Sequence, residues 1–360
     1  DGTTYTANFT RRTDLHYEVH YFYGNGGEYE EDIVSRVMKD NGRFNDPIPY
    51  TAPSSTEYSG KTYTLEKIEK PSDGKITADN AKNVVNVYYL LDQDGPEDKP
   101  DGIPDSYQIR ITYVSGANGT VTGRKEEFHT VWTFDRNEDG TINMDTLTST
   151  PARPEASVTA TADPGHQFAG WTTAGPDGTI TYDSVEKIRE LTLSESKEFQ
   201  AGFTTRTDLD YSVRYFYDGT EDKAGKVEGK GTLDTVIPYQ DKAPQTSQFG
   251  GKNYMLESID IASSNGMITA DAAKNVVKIH YTMDADGPDG NPDGKPDKWQ
   301  IRISYKAGAN GQVTGTITEF HTVMTFELNA DNTINKDTVK SAPATPEANV
   351  TAAPEPGYDF

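Results

Sequence analysis

Cysteine is absent from this 360-residue sequence, which excludes disulfides, Cys-ligated zinc and thiol catalysis. Hydrophobic residues are scarce at 33 %, too few for one large core. They suffice for several small domains, each burying a thin layer between a sheet and its cover. Basic charge is also in deficit: 34 Lys and Arg face 57 Asp and Glu, a net −23. No cluster of Lys and Arg reverses that field locally, so nucleic acid and anionic membranes are excluded as partners. There is no apolar run of membrane-spanning length, no lipidation signal and no signal peptide. Nor is there a G-x-S-x-G, HExxH, P-loop or Rossmann fingerprint, and the chain is expected not to be an enzyme.

What is plentiful is Tyr, 21 in all, together with Thr. Both suit the half-buried surface of a pleated sheet, so the expected class is mainly β with short helices (α+β). The sequence also repeats itself. TDLHYEVHYFY from Thr13 recurs as TDLDYSVRYFY from Thr207, identical at 8 of 11 positions. GKTYTL from Gly60 recurs from Gly251 as GKNYML, and ITADNAKNVVNVYY from Ile76 recurs from Ile268 as ITADAAKNVVKIHY. YQIRITYVSGANGTVTG from Tyr107 returns from Trp299 as WQIRISYKAGANGQVTG. Such a period means tandem units.

The matches divide each unit again. Residues 10–90 and 204–282 form one kind of domain (A1, A2), and 106–203 and 299–360 another (B1, B2). The Pro, Gly and Asp-rich stretches 91–105 and 283–298 join them as linkers. YTANF from Tyr5 matches FQAGF from Phe199, so residues 1–9 are expected to be the last strand of a preceding repeat. B2 is expected to be truncated, because residues 357–360 match 165–168.

Within A1, Leu15, Tyr17, Val19 and Tyr21 alternate with His16, Glu18 and His20, as on a strand with one buried face. In B1, Asn118-Gly119 between alternating segments predicts a hairpin. Two helices are expected. One covers residues 31–39, with Ile33, Val34, Val37 and Met38 on one face and Asn41-Gly42 as its stop. The other covers residues 184–191, with Val185, Ile188 and Leu191 spaced by three after an Asp183 cap.

The second half of each unit resembles the divergent internalin B-repeat family of bacterial surface proteins. The residues that carry this are GANGTVTG (116–123), ASVTATADPGHQFAGW (156–171) and FQAGF (199–203). The first half is similar to MucBP-like (mucin-binding protein) repeats of gut Firmicutes, through YFYDG (215–219), Ile-Pro-Tyr and NVVNVYY (83–89). The resemblance implies small β-grasp-like domains in a tandem, extended array. It further implies the stalk of a secreted, cell-wall-anchored adhesin at the bacterial cell surface, monomeric in itself. In the alternative, the repeats bind a host mucin glycan, glycoprotein or immunoglobulin directly, by stacking on exposed tyrosines or by β-augmentation at a sheet edge.

The strongest chemical signal is the linker. Asp92, Asp94, Asp101 and Asp105 are matched by Asp284, Asp286, Asp293 and Asp297. Closely spaced Asp on a Gly-bent backbone offers oxygen ligands for Ca²⁺, and the D-x-D-G and D-G-x-P-D pieces resemble thrombospondin type 3 calcium loops with altered spacing. The competing reading is an acidic linker stiffened by proline. Asp135, Asn137, Asp139, Gly140 and Asn143 have the spacing of an EF-hand start. Their counterparts Glu327, Asn329, Asp331, Asn332 and Asn335 lose the turn glycine, and neither copy has a twelfth-position Glu, which favours a plain hairpin turn. Glu127 and His129, repeated as Glu319 and His321, share a strand face as either a metal pair or a solvated pair. Trp171 is expected in the core.

Overall fold

The computed structural model describes residues 2–34, 38–95, 99–287 and 290–360. The protein is mainly β, with 52 % strand, 5 % helix and one α-helix among the described residues. It forms two compact units, residues 1–163 with 168–203, and residues 164–167 with 204–360.

The first unit begins with β1 (Leu15–Gly24), β2 (Tyr29–Glu31), β3 (Met38–Gly42), β4 (Ser55–Tyr58), β5 (Lys61–Glu69) and β6 (Val84–Leu91). Alternation along β1 buries Leu15, Tyr17, Val19, Tyr21 and Tyr23 while His16, Glu18 and His20 face outward. β1 lies parallel to β6 in the register Val19↔Val85, Tyr21↔Val87 and Tyr23↔Tyr89, so their inward faces form one core. The strand order is β2-β1-β6-β5-β4, with β3 also on β1.

The repeated ITAD-x-A-K-N motif locks this pair. Asp79 caps a short 3₁₀ turn over Asn80–Lys82, accepting a bond from Ala81 N–H. Asn83 is fully buried; its Nδ2 donates to the carbonyls of His16 and Thr77, each at 3.0 Å. Its Oδ1 accepts from the N–H and hydroxyl of Thr77 at 2.8 and 2.9 Å. The amide is fully used, which is what a buried polar side chain requires.

Among the described residues the expected helix over 31–39 is not found; residues 35–37 lie outside them. Val37 lies outside the described residues, but Glu31 ends β2 and Met38–Gly42 is β3, antiparallel to β1 with Leu15↔Gly42 and Val19↔Met38. Ile33 and Val34 are 71 and 91 % exposed, so no apolar helical face is buried. A nine-residue helix has little stability of its own, and the free edge of β1 offers ladder bonds instead. Gly42 is a strand residue rather than a helix stop: a Cβ there would come within 2.1 Å of the Ile76 side chain.

The unit continues with β7 (Gln108–Ser115), β8 (Gly119–Gly123), β9 (Glu126–Thr130), β10 (Trp132–Arg136), β11 (Ile142–Ser149), β12 (Val158–Ala162), β13 (His166–Gly175), β14 (Gly178–Tyr182), α1 (Val185–Arg189) and β15 (Lys197–Thr205). Its main sheet has the order β14-β13-β15-β7-β9, with β15 parallel to β7. Trp171 is buried as expected, edge-on to Tyr113 at 5.8 Å, in a core with Phe199, Ile111 and Ile188. The helix stands where the Val185/Ile188 spacing put it, although Ser184 rather than Asp183 occupies the cap position.

The hairpin expected at Asn118-Gly119 is only a turn. Asn118 does adopt a positive φ of 68°, but both edges of β7 are taken, by β9 and β15, so β8 cannot fold back on it. β8 pairs instead with β12, Gly119↔Ala162 to Gly123↔Val158. Gly119 lies under the Phe203 ring, 2.5 Å from where a Cβ would be.

The second unit repeats the first pattern with β16 (Leu209–Tyr217), β17 (Thr220–Gly231), β18 (Thr246–Phe249), β19 (Lys252–Ile261) and β20 (Val276–Met283), in the order β17-β16-β20-β19-β18. The long β17 replaces β2 and β3, and Asn275 repeats the bonds of Asn83. There follow β21 (Gln300–Ser304), β22 (Gly311–Gly315), β23 (Thr318–Thr322), β24 (Met324–Leu328), β25 (Ile334–Ser341) and β26 (Val350–Pro354). These pair as three two-stranded sheets, β21-β23, β22-β26 and β24-β25.

Candidate functional site

The eight linker aspartates lie in two loops of the same design. Asp92 leaves β6 and is 2 % exposed. Its Oδ1 accepts from Asp101 N–H at 3.0 Å and its Oδ2 from Gly102 N–H at 2.9 Å. Asp105 Oδ1 accepts from the N–H groups of Gln93 and Asp94 at 2.8 and 3.0 Å. Asp101 takes Ile103 N–H at 2.9 Å and the Gln108 side-chain amide at 2.7 Å. The second loop repeats this: Asp284 accepts from Asp293 and Gly294, Asp297 from Ala285 and Asp286, and Asp293 from Lys295 and Gln300. Residues 96–98 and 288–289 lie outside the described residues.

The carboxylates therefore do what secondary structure does elsewhere, satisfying backbone N–H groups that would otherwise go unpaired. Burial pushes the Asp92, Asp105 and Asp284 carboxyls up from their ordinary range; the bonded amides counter it and the neighbouring aspartates add to it. Among the described residues no three His, Asp or Glu side chains are grouped as a metal site.

Arg136, at the end of β10, crosses the first loop. It donates to Leu65 O at 2.9 Å, Gly140 O at 2.7 Å, Thr64 Oγ1 at 2.8 Å and Gly102 O at 3.1 Å. One guanidinium thus ties the β10-β11 turn to β5 and to the acidic loop. Burial lowers its pKa, while the Asp92 charge acts the other way. In the second unit Leu328 holds this position and is exposed. There Lys298 pairs with Glu257 at 2.8 Å and lies over the Trp299 ring at 5.7 Å.

Glu127 is not solvated, and His129 lies half-buried beside it. Glu127 is fully buried and clamps a bend: Oε1 accepts from Ala156 N–H at 2.6 Å, Oε2 from Glu155 N–H at 2.8 Å, and His129 Nε2 lies 2.8 Å from Oε2. Ala156 sits at φ +46°, a strained angle for a residue with a Cβ, and Arg189 of α1 holds its carbonyl at 2.9 Å. Glu319 does the same for Glu347 and Ala348, with Ala348 at φ +51°. Burial raises the Glu127 pKa, but His129 and the two amides outweigh it and leave it lowered. For Glu319 the His321 bond dominates and brings it down to about 2. The signal for this clamp was present in the sequence as Glu-x-His with Pro-Glu-Ala (154–156, 346–348) in both copies.

The stretch with EF-hand spacing is the β10-β11 turn. Asp139 Oδ1 accepts from the Thr141 hydroxyl at 2.6 Å, and Asp331 from Thr333 at the same distance. The outward face of β1 and β6 carries Phe22 stacked on Tyr88 at 4.8 Å, with Lys67 over that ring at 4.4 Å. In the second unit Phe216 stacks on His280 at 5.0 Å. No protein-family model and no curated protein matches the chain.

Proposed function

We propose that the chain is a non-catalytic stalk region of a secreted, cell-wall-anchored bacterial surface protein, built as a tandem array of β-grasp-like domains. One observation carries this reading: the polar residues kept identical in both copies brace the backbone. Asn83/Asn275, Glu127/Glu319, Asp92/Asp284 and Asp101/Asp293 spend their side chains on backbone groups. The side chains between the core positions of the first strand diverge, with His16, Glu18 and His20 replaced by Asp210, Ser212 and Arg214. A spacer is selected for its frame, whereas a binding face would hold its own side chains. The parallel central pair in each complete sheet supports the β-grasp-like arrangement. The test is capture of mucin glycoproteins and immunoglobulins by the immobilised chain. A spacer captures none, and specific submicromolar capture overturns the reading.

A second reading, direct binding of a host glycoprotein by the A sheets, is favoured by the ring pairs Phe22–Tyr88 and Phe216–His280. Loss of capture on Phe22→Ala with Phe216→Ala would establish it. Ca²⁺ in the acidic loops is the proposed cofactor: a cation would relieve the burial and mutual repulsion that raise Asp92, Asp105 and Asp284. Calorimetry showing no heat near millimolar Ca²⁺ removes it.

A further inference from the structure

Each of the three larger sheets sets its first and last described strands side by side and parallel: β1 with β6, β7 with β15, and β16 with β20. In such a pair the chain enters at the start of one strand and leaves at the far end of the other. Tension along the chain therefore drags the two strands past each other lengthwise. The ladder bonds of a parallel pair are evenly spaced, so they resist that sliding together. Tension applied at the same end of both strands would instead open the ladder one bond at a time. Two of the pairs are internal to the chain: β7 follows β6 and β15 leads to β16, while β20 leads to β21.

Side chains reinforce the same three pairs. Directly across each lies one stacked pair of buried rings: Tyr23 opposite Tyr89 with centroids at 5.5 Å, Tyr113 opposite Phe199 at 5.8 Å, and Tyr217 opposite Tyr281 at 5.3 Å. Sliding the strands would part these rings as well as the ladder. The buried asparagines lengthen two of the ladders. Asn83 O accepts from Glu18 N–H at 2.9 Å while its Nδ2 donates to His16 O at 3.0 Å, and Asn275 holds Ser212 N–H and Asp210 O at the same distances. The β7–β15 ladder is extended by Arg110 N–H to Ser196 Oγ at 3.0 Å and by Gly116 N–H to Ala201 O at 2.9 Å.

We propose that these three strand pairs are load-bearing clamps, and that resisting tension along the chain is a function of the array. The purpose of the clamps rests on the stalk reading, whereas their mechanism rests on strand order alone. Forced unfolding follows the barrier to unfolding rather than the equilibrium stability. The direction of pull therefore sets the force a domain withstands, and a domain of unchanged stability should be strong lengthwise and weak when peeled.

The absence of cysteine lets thiol handles be placed singly for single-molecule stretching of the full chain. Handles at Asp208→Cys and Asn291→Cys load β16 against β20 lengthwise. Handles at Asp208→Cys and Lys274→Cys lie at the same end of that pair, whose register begins at Ser212↔Val276, and peel it. All three positions are exposed, and equal urea midpoints check that the two chains are equally stable. At one loading rate, residues 204–282 should unfold at a severalfold higher force lengthwise than on peeling. Capture of a host glycoprotein would overturn the stalk reading and leave this difference in force standing. Equal forces in the two directions, or a higher force on peeling, would overturn the clamp.

Discussion

In the first unit Arg136 reaches across the acidic loop to four acceptors; in the second Leu328 stands in its place, exposed, and a Lys298–Glu257 pair serves nearby. The loops themselves are bonded alike, aspartate by aspartate. The loop is therefore closed by its own carboxylates, and the group that crosses it can change. A guanidinium with three carbonyl partners and one hydroxyl partner holds one geometry. A Lys–Glu pair whose lysine is half exposed holds far less, since exposed ion pairs contribute roughly 0–1 kcal/mol.

The largest expected effect lies in what the copies share. Glu127→Ala leaves two backbone N–H groups and His129 without their acceptor, and should destabilise the first unit by about 3 kcal/mol, read by urea denaturation. Glu319→Ala should weaken the second unit in the same sense. Unchanged midpoints in both would remove the clamp.

Next comes the exchange of the crossing residues. Arg136→Leu should loosen the first joint by about 2 kcal/mol and speed amide exchange at Gly102, while Leu328→Arg should slow exchange at Gly294. If Arg136→Leu leaves Gly102 unchanged, the two joints do not differ as described.

The pH response should separate clamps from loops. Glu127 and Glu319 have lowered pKa values when folded, so their contribution is complete above the unfolded value of about 4.3. It is lost as pH falls through the folded values, for Glu319 towards about 2. Asp92, Asp105 and Asp284 are raised, so the fold binds extra protons just above the unfolded value of about 3.9 and loop stability falls as pH rises through that window. Carboxyl NMR titration of the whole chain checks both signs.

The smallest effect concerns the cation. Arg136 already places positive charge near Asp92, and Leu328 gives Asp284 none, so Ca²⁺ should prefer the second loop. In calorimetry, Asp284→Asn with Asp293→Asn should remove more heat than Asp92→Asn with Asp101→Asn.

Much of this frame was legible in the sequence. The Leu15–Tyr21 alternation, the 185–188 helix spacing and the core position of Trp171 follow from local periodicity, which acts within a few residues. Residues 31–39 and Asn118-Gly119 misled for one reason: strand partners decided both. A free edge of β1 drew Met38–Gly42 into a strand, and the filled edges of β7 sent β8 to β12. The clamping role of Glu127 was not read from Glu-x-His, because a buried glutamate and an exposed one look alike until the bend at Ala156 comes to rest on it. The linker aspartates drew attention to metal chemistry, yet Asp92, Asp101 and Asp105, like Asp284, Asp293 and Asp297, accept from amides of their own loop.

The most direct measurement is amide hydrogen exchange at Asp101, Gly102, Asp293 and Gly294 in the full chain, with EDTA present. Loops closed by Asp92 and Asp284 keep all four amides protected without any cation, and Asp92→Ala should release Asp101 and Gly102 alone. Exchange at the free-peptide rate in the unsubstituted chain would contradict the braced joint.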